Sequence, residues 1–258
     1  MGDPVGGTLW LDSLGPDPLP LDTALAAVLG YARGGRSLWF RFPGAPARWV
    51  RVPAFGWSRF DAQPVPGDGA TDVLIAEGLH GRLDRAGWTA VHESLGRARP
   101  LAEAAADRAA GRALWELPDD ELSVLGEPGT VGAALREIAA IAGAHLGPVT
   151  AALHHRHPRL VPHVTRTTWR AMLPHLAEGD SGVPAVVRRE LRANADGFAA
   201  LERAAADLLG DARPTRLRLH DILLWLGTTL RLAHAVALGE STPEWACRPG
   251  RPAATSSS

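Results

Sequence analysis

The chain contains no lysine: every one of its 27 Lys-or-Arg positions is arginine. Coding bias in a GC-rich gene accounts for such a composition, with Ala, Gly and Pro enriched alongside. The chemical consequence holds whatever the cause. No side-chain ammonium is present to form a Schiff base or to act as a lysine general base. A Walker-type phosphate loop, which needs Gly-Lys-Ser/Thr, is excluded. The planar guanidinium does not replace a compact point charge there.

Cysteine is reduced to Cys247, which excludes an intrachain disulfide framework and a four-cysteine metal site. No uninterrupted apolar run reaches the ~18 residues of a membrane-spanning helix. The opening MGDPVGG has neither the basic nor the apolar region of a signal peptide. The expectation is a cytoplasmic protein with no membrane partner.

What is present is ordinary for a folded protein: 258 residues, 46% apolar and 21% charged, with a net charge of −1. That length buries a substantial core, and that charge gives no global attraction to nucleic acid.

Residues 1–21, rich in Gly, Pro and Asp, read as an irregular arm. Asp22 is placed to cap a short helix running to about residue 29. SLWFRF (37–42) and RWVRV (48–52) are aromatic and β-branched around a Pro-Gly-Ala-Pro-Ala loop. They predict a β hairpin over about 37–52, packed on helices because a lone ribbon is marginal.

From residue 71 the periodicity is helical. It predicts helices at 72–83, 88–95, 101–115 with Pro100 leading, 131–142 capped by Thr130, 149–156, and 165 to about 176. Residues 183–209 read as one helix or two, broken at Gly197, and 219–238 as the most apolar helix. The fold expected is mainly α: one helical domain over 22–242 carrying the hairpin, then a disordered tail over 243–258. The loop 60–70 is the expected seam between hairpin and helices.

Charge is unevenly distributed. Between Ile138 and Ala177 there is no Asp or Glu, but there are four arginines and six histidines. Arg156, Arg159, Arg166 and Arg170 make this window a candidate anion site, with His157 beside them. The alternative is a solvated basic loop paired with Glu190, Asp196 or Glu202. The run HHRH (154–157) puts His154 and His157 on one helix face. Zinc needs three or four ligands in closed geometry, and there is no HExxH and no nearby carboxylate, so no metal and no cofactor are expected.

The same window carries a family pattern. LHHRHPRLVP (153–162) resembles the signature of a bacterial family of unknown function, domain of unknown function 6308. Arg156, Pro158, Arg159, Leu160, Val161 and Pro162 match that pattern. His157 stands where a second strong base is usual, and Thr165 where an Asp is usual. FGWSRFDA (55–62), TDVLIAEGLH (71–80) and LHDILLWLG (219–227) are similar in layout to other parts of that family.

More distantly, residues 146–168 resemble the helix-hairpin-helix region of base-excision DNA glycosylases. Leu146, Gly147, Thr150 and Ala151 fit the second half of that hairpin, and His145 replaces its first glycine. The resemblance implies a DNA-associated, glycosylase-like scaffold. Backbone N–H groups at a helix start would face a phosphate, with Gly147, Thr150, Arg156, His157, Arg159, Arg166 and Arg170 as phosphate- or anion-binding candidates. Thr165 occupies the place of the catalytic Asp, and a neutral hydroxyl cannot stabilise a developing cation, so it reads as a helix cap. Without lysine, lyase chemistry through a lysine Schiff base is excluded.

Asp221 is the one carboxylate that looks buried, either as a cap or as the partner of an arginine. Trp169 and Trp225 read as core, and Trp39, Trp49 and Trp57 as packing of the hairpin or as base-stacking groups beside Arg48 and Arg51. Three functional expectations remain open: a nucleic-acid-associated scaffold without the standard carboxylate, a protein-interaction or regulatory module, and an enzyme on a small anionic substrate with a pocket around Arg159 and Asp221.

Overall fold

The computed structural model describes residues 7–41, 43–65, 69–125, 128–210 and 213–248. It is mainly helical with two small antiparallel strand pairs. A short pair, β1 (Thr8–Leu9) and β2 (Leu19–Pro20), precedes α1 (Leu21–Arg33). The ribbon β3 (Gly35–Phe40) and β4 (Arg48–Pro53) follows, in a register that sets Trp39 opposite Trp49. Then come α2 (Gly69–His80), α3 (Arg85–Ala109), α4 (Val131–Ala142), α5 (Leu146–Arg156) and α6 (Arg166–Met172). The chain continues through α7 (Val183–Ala193), α8 (Ala195–Leu209), α9 (Arg216–Thr228), α10 (Leu232–Glu240) and α11 (Pro243–Ala246).

One continuous hydrophobic core joins these elements. α1 lies at its centre, with residues 24–31 all buried, against α8, α9 and α10. The crossing with α10 is set by two glycines. A Cβ on Gly30 would stand 1.8 Å from the Ala235 carbonyl oxygen, and one on Gly239 would stand 1.8 Å from that of Ala26. Only hydrogen at both positions lets the backbones approach so closely. α2 packs on α5, and α3 on α4.

Several elements differ from expectation for local reasons. Asp22 is not a cap: Pro20 holds that position, and Asp22 in the first turn accepts both Arg248 nitrogens at 2.9 Å. Pro100 lies inside α3, which is one helix where two were expected. Proline deprives the Gly96 carbonyl of its helical partner, but both residues are exposed, so water satisfies that oxygen.

The break in 183–209 falls at Asn194 rather than Gly197, because Asn194 leaves the helix to hold the Trp10 backbone at 2.7 Å through both its amide atoms. Residues 219–238 split at Leu230, which takes φ +58; α9 and α10 meet there at 116°. No single described helix is long and apolar enough to cross a membrane.

From Gly7 onward the N-terminal arm is anchored in the fold; residues 1–6 lie outside the described residues. Leu9 and Leu11 are buried, and Ser13 donates to Glu190 through its backbone N–H (2.8 Å) and its hydroxyl (2.9 Å). The expected seam at 60–70 begins on two anchors: Phe60 is buried and Asp61 grips Arg218. The tail folds as far as α11, where Trp245 is buried; residues 249–258 lie outside the described residues.

Candidate functional site

A buried polar cluster forms where α1, α2, α9 and the segment between α5 and α6 converge. α9 brings Arg218 and Asp221, three residues apart and therefore on one face. α1 brings Tyr31, the chain's only tyrosine. α2 ends on His80, and His163 stands just before α6. Asp61 enters from the loop after the ribbon.

Arg218 is buried between two carboxylates. Its Nε donates to Asp61 Oδ1 at 2.5 Å and its Nη2 to Asp61 Oδ2 at 3.0 Å; its Nη1 pairs with Asp221 Oδ2. Nη2 also donates to the Tyr31 hydroxyl at 2.9 Å. The guanidinium lies over the Phe60 ring at 5.0 Å, which desolvates it further. Two buried carboxyl groups thus flank one buried cation, and burial of that cation without such pairing would cost several kcal/mol.

His163 donates from Nδ1 to Asp221 Oδ2 at 2.9 Å, and its Nε2 stands 3.1 Å from His80 Nε2. The carboxylate therefore fixes the ring's orientation, as a partner on the far nitrogen does for catalytic and metal-bound histidines. Both strong donors converge on Oδ2. Asp221 Oδ1 is buried with no hydrogen-bond partner among the described residues.

Burial pushes the Asp221 carboxyl up, but the neighbouring His163 and Arg218 outweigh it and hold the group well below the usual carboxylate range. Burial raises the Tyr31 hydroxyl far above an ordinary phenol, against the pull of Arg218, so it stays a neutral donor. Burial lowers His80 to about 3, and His163 pushes it the same way. Near neutral pH the cluster therefore holds an anionic Asp221 and a neutral His80 and Tyr31.

These groups line a cavity of about 90 Å³. Tyr31, His80, His163, Thr165, Arg218 and Asp221 supply its polar wall; Leu79, Ile222 and Trp225 supply the apolar one. Trp225 is held edge-on to Tyr31 and Phe55, at 6.3 and 6.1 Å. The space suits a few waters or a molecule of a few non-hydrogen atoms. A cleft holding several groups with displaced pKa values and one unmet acceptor has the attributes of a reactive site.

The residues expected to bind an anion are placed as follows. Gly147 and Thr150 lie in the first turns of α5 and are buried. The His80 ring stands against Gly147, where a Cβ would come within 2.6 Å of it, so this helix start faces a side chain. The Thr150 hydroxyl donates to the Leu146 and Val164 carbonyls at 2.7 and 3.1 Å and is committed to backbone. Arg156 lies at the opposite end of α5, about 13 Å from Gly147 along the axis. Its Nε donates to both oxygens of Asp72 at 2.9 Å.

His157 caps that same end, half-buried, and burial lowers its pKa. Arg159 reaches Glu116 at 3.5 Å and lies 5.7 Å from the Trp115 ring centroid. Arg166 and Arg170 are exposed on α6, with Trp169 exposed between them. The structure therefore separates the helix start from Arg156 and Arg159 and does not gather the seven candidates at one spot.

Thr165 caps α6, accepting from the Thr168 N–H at 3.2 Å. In the HHRH run, His154 is a core residue bonded to the Val161 carbonyl at 2.7 Å, and burial lowers it to about 3. His155 reaches the Gln63 carbonyl at 3.1 Å. Among the described residues no group of three or more His, Cys, Asp or Glu is arranged to hold a metal ion.

Sequence reasoning singled out Asp221 but missed its partners. The Arg218-x-x-Asp221 spacing on one apolar helix was a usable signal. Asp61 and His80 gave none, since each reaches the cluster only through the fold. In comparisons with known proteins, no family, no curated protein and no solved structure matches the chain.

Proposed function

We propose that the protein is an enzyme that transfers a proton on a small, hydrogen-bond-donating substrate bound at Asp221. The observation that carries this reading is the buried, unpartnered acceptor Asp221 Oδ1, on the cavity-lining carboxylate whose Oδ2 orients His163. A buried acceptor left unpaired costs about 1–3 kcal/mol, more when charged. A substrate N–H or O–H offsets that cost.

The substrate class is a small amine, amide or alcohol. An anion, the substrate expected from the arginine-rich window, is disfavoured here because Arg218 is already neutralised by Asp61 and Asp221. Asp221 anchors the donor and orients His163. A substrate that parts the 3.1 Å contact with His80 meets His163 Nε2 directly and exchanges one proton with it, while Tyr31 supplies a neutral hydroxyl. Leu79, Ile222 and Trp225 exclude bulk water, which strengthens each polar contact inside.

Ligand-observed NMR with a series of small amines, amides and alcohols tests this. The expected result is saturable binding to the wild-type protein that is lost in Asp221→Asn, whose amide puts a donor on the carboxylate. Absence of binding to the wild type, or equal binding by the variant, overturns it.

A second reading is association with nucleic acid on a glycosylase-like scaffold, from the helix-hairpin-helix likeness of 146–168. One observation favours it: Arg166, Trp169 and Arg170 are exposed on α6, whose cap Thr165 lines the cavity. It predicts salt-sensitive duplex DNA binding that falls when Arg166 and Arg170 become Ala. Duplex binding that ignores both substitutions removes it.

A further inference from the structure

The β3–β4 ribbon was expected to lie under helices; instead Trp39 and Trp49 are 57% and 67% exposed. Of the three tryptophans in or after the hairpin, Trp57, beyond the ribbon, is the one that is buried, at 4%. Strand alternation explains the ribbon's two faces. Leu38, Val50 and Val52 turn one way and are half-buried. Trp39, Trp49, Ser37 and Arg51 turn the other way, to solvent, and Arg41, exposed, follows directly after the end of β3. The two indoles touch edge-on, with centroids 5.4 Å apart. Arg51 runs along the same face over Gly35, where a Cβ would lie 2.5 Å from its Nε.

The charge of this segment has one sign. From residue 23 to residue 60 the chain has six arginines and no Asp or Glu. No ion pair of the described residues joins a carboxylate to Arg36, Arg41 or Arg51. In a chain of net charge −1, this local excess of cations is matched by carboxylates elsewhere.

We propose that this ribbon face docks single-stranded nucleic acid, with bases stacked on Trp39 and Trp49 and phosphates on Arg41 and Arg51. Exposed indoles accept any base, because every base has a π face, and flanking cations follow the backbone. A duplex offers its bases to such rings only after unstacking them. A membrane-inserting face would stay apolar toward one end; here a guanidinium follows the indoles on each side. The inference is independent of the cavity and of α6.

The test is fluorescence titration of the full chain with oligo(dT), the corresponding duplex, and anionic phosphatidylserine vesicles, at low and moderate salt. Oligo(dT) quenches tryptophan emission and binds more tightly than the duplex, and its affinity falls steeply between about 50 and about 200 mM salt. Trp39→Ala or Trp49→Ala weakens it about tenfold or more. Arg203→Ala, at an exposed arginine of α8, leaves it unchanged, which separates the ribbon site from a general charge effect. Both tryptophans are exposed, so the variants keep the wild-type circular dichroism and melting temperature. No oligo(dT) binding at low salt, preference for duplex or vesicles, or affinity indifferent to both tryptophans overturns the proposal.

Discussion

His163 Nδ1 lies 2.9 Å from Asp221 Oδ2, across 58 residues of sequence. The pair ties the segment before α6 to the centre of α9, and the second nitrogen of the same ring reaches α2 through His80. An Asp221→Asn, His163→Gln double-mutant cycle should show coupling of about 0.5–3 kcal/mol in urea unfolding, as contacting residues of one network do. Additive losses would mean that the two side chains stand together without interacting.

Acid should destabilise the protein through its buried histidines. His154 is depressed from 6.5 to about 3 by burial, and His80 likewise. In the unfolded chain both take up protons below pH 6.5, while in the folded chain they stay neutral. Stability therefore falls as pH drops from 6.5 toward 3, by about 1.4 kcal/mol per pH unit for each group. Asp221 is depressed as well, so its contribution is present above the ordinary carboxylate range and is lost only in stronger acid. Denaturant titrations of His154→Gln at several pH values should show the slope reduced by one histidine's share.

Glycine substitutions should divide by location. Gly239→Ala drives a methyl into the Ala26 carbonyl and forces α1 and α10 apart, costing about 3 kcal/mol or more, since the clash is with backbone. Gly96 in α3 has nothing within 4 Å of its would-be Cβ, so Gly96→Ala should stabilise by about 0.5–1 kcal/mol. Thermal melts of the two variants moving in the same direction would contradict the packing described.

The arginines of the 138–177 window should differ in weight. Asp72 is buried and takes both Arg156 and Arg99. Because the two guanidiniums keep about a quarter of their side-chain exposure, Arg156→Ala should cost about 1–3 kcal/mol, below the value for a fully buried pair. Arg159 and Glu116 are about half exposed and 3.5 Å apart, so Arg159→Ala should stay within about 0.5 kcal/mol. Equal losses in chemical denaturation would refute this ranking.

Much of the helical layout was legible in the residues. Val131–Ala142 with its Thr130 cap and the cap at Thr165 follow from local patterns, because hydrogen bonds within a turn involve neighbours in sequence. The join of two expected helices into α3 and the bend after α9 were not legible. One depends on which face of Pro100 meets water, and the other on Leu230 adopting a left-handed backbone.

Composition and periodicity by themselves determined a lysine-free, mainly helical chain with an aromatic ribbon near its start, since those properties rest on residue types and short-range spacing. Only the tertiary structure decided which charges are spent on each other. Arg156 and Arg159 found carboxylates far along the chain, while His80, His163, Arg218 and Asp221 came together around one cavity, with Asp61 paired to Arg218. Burial removes water as a partner, so each ionised group must find another group in space, and sequence distance says nothing about which one it finds.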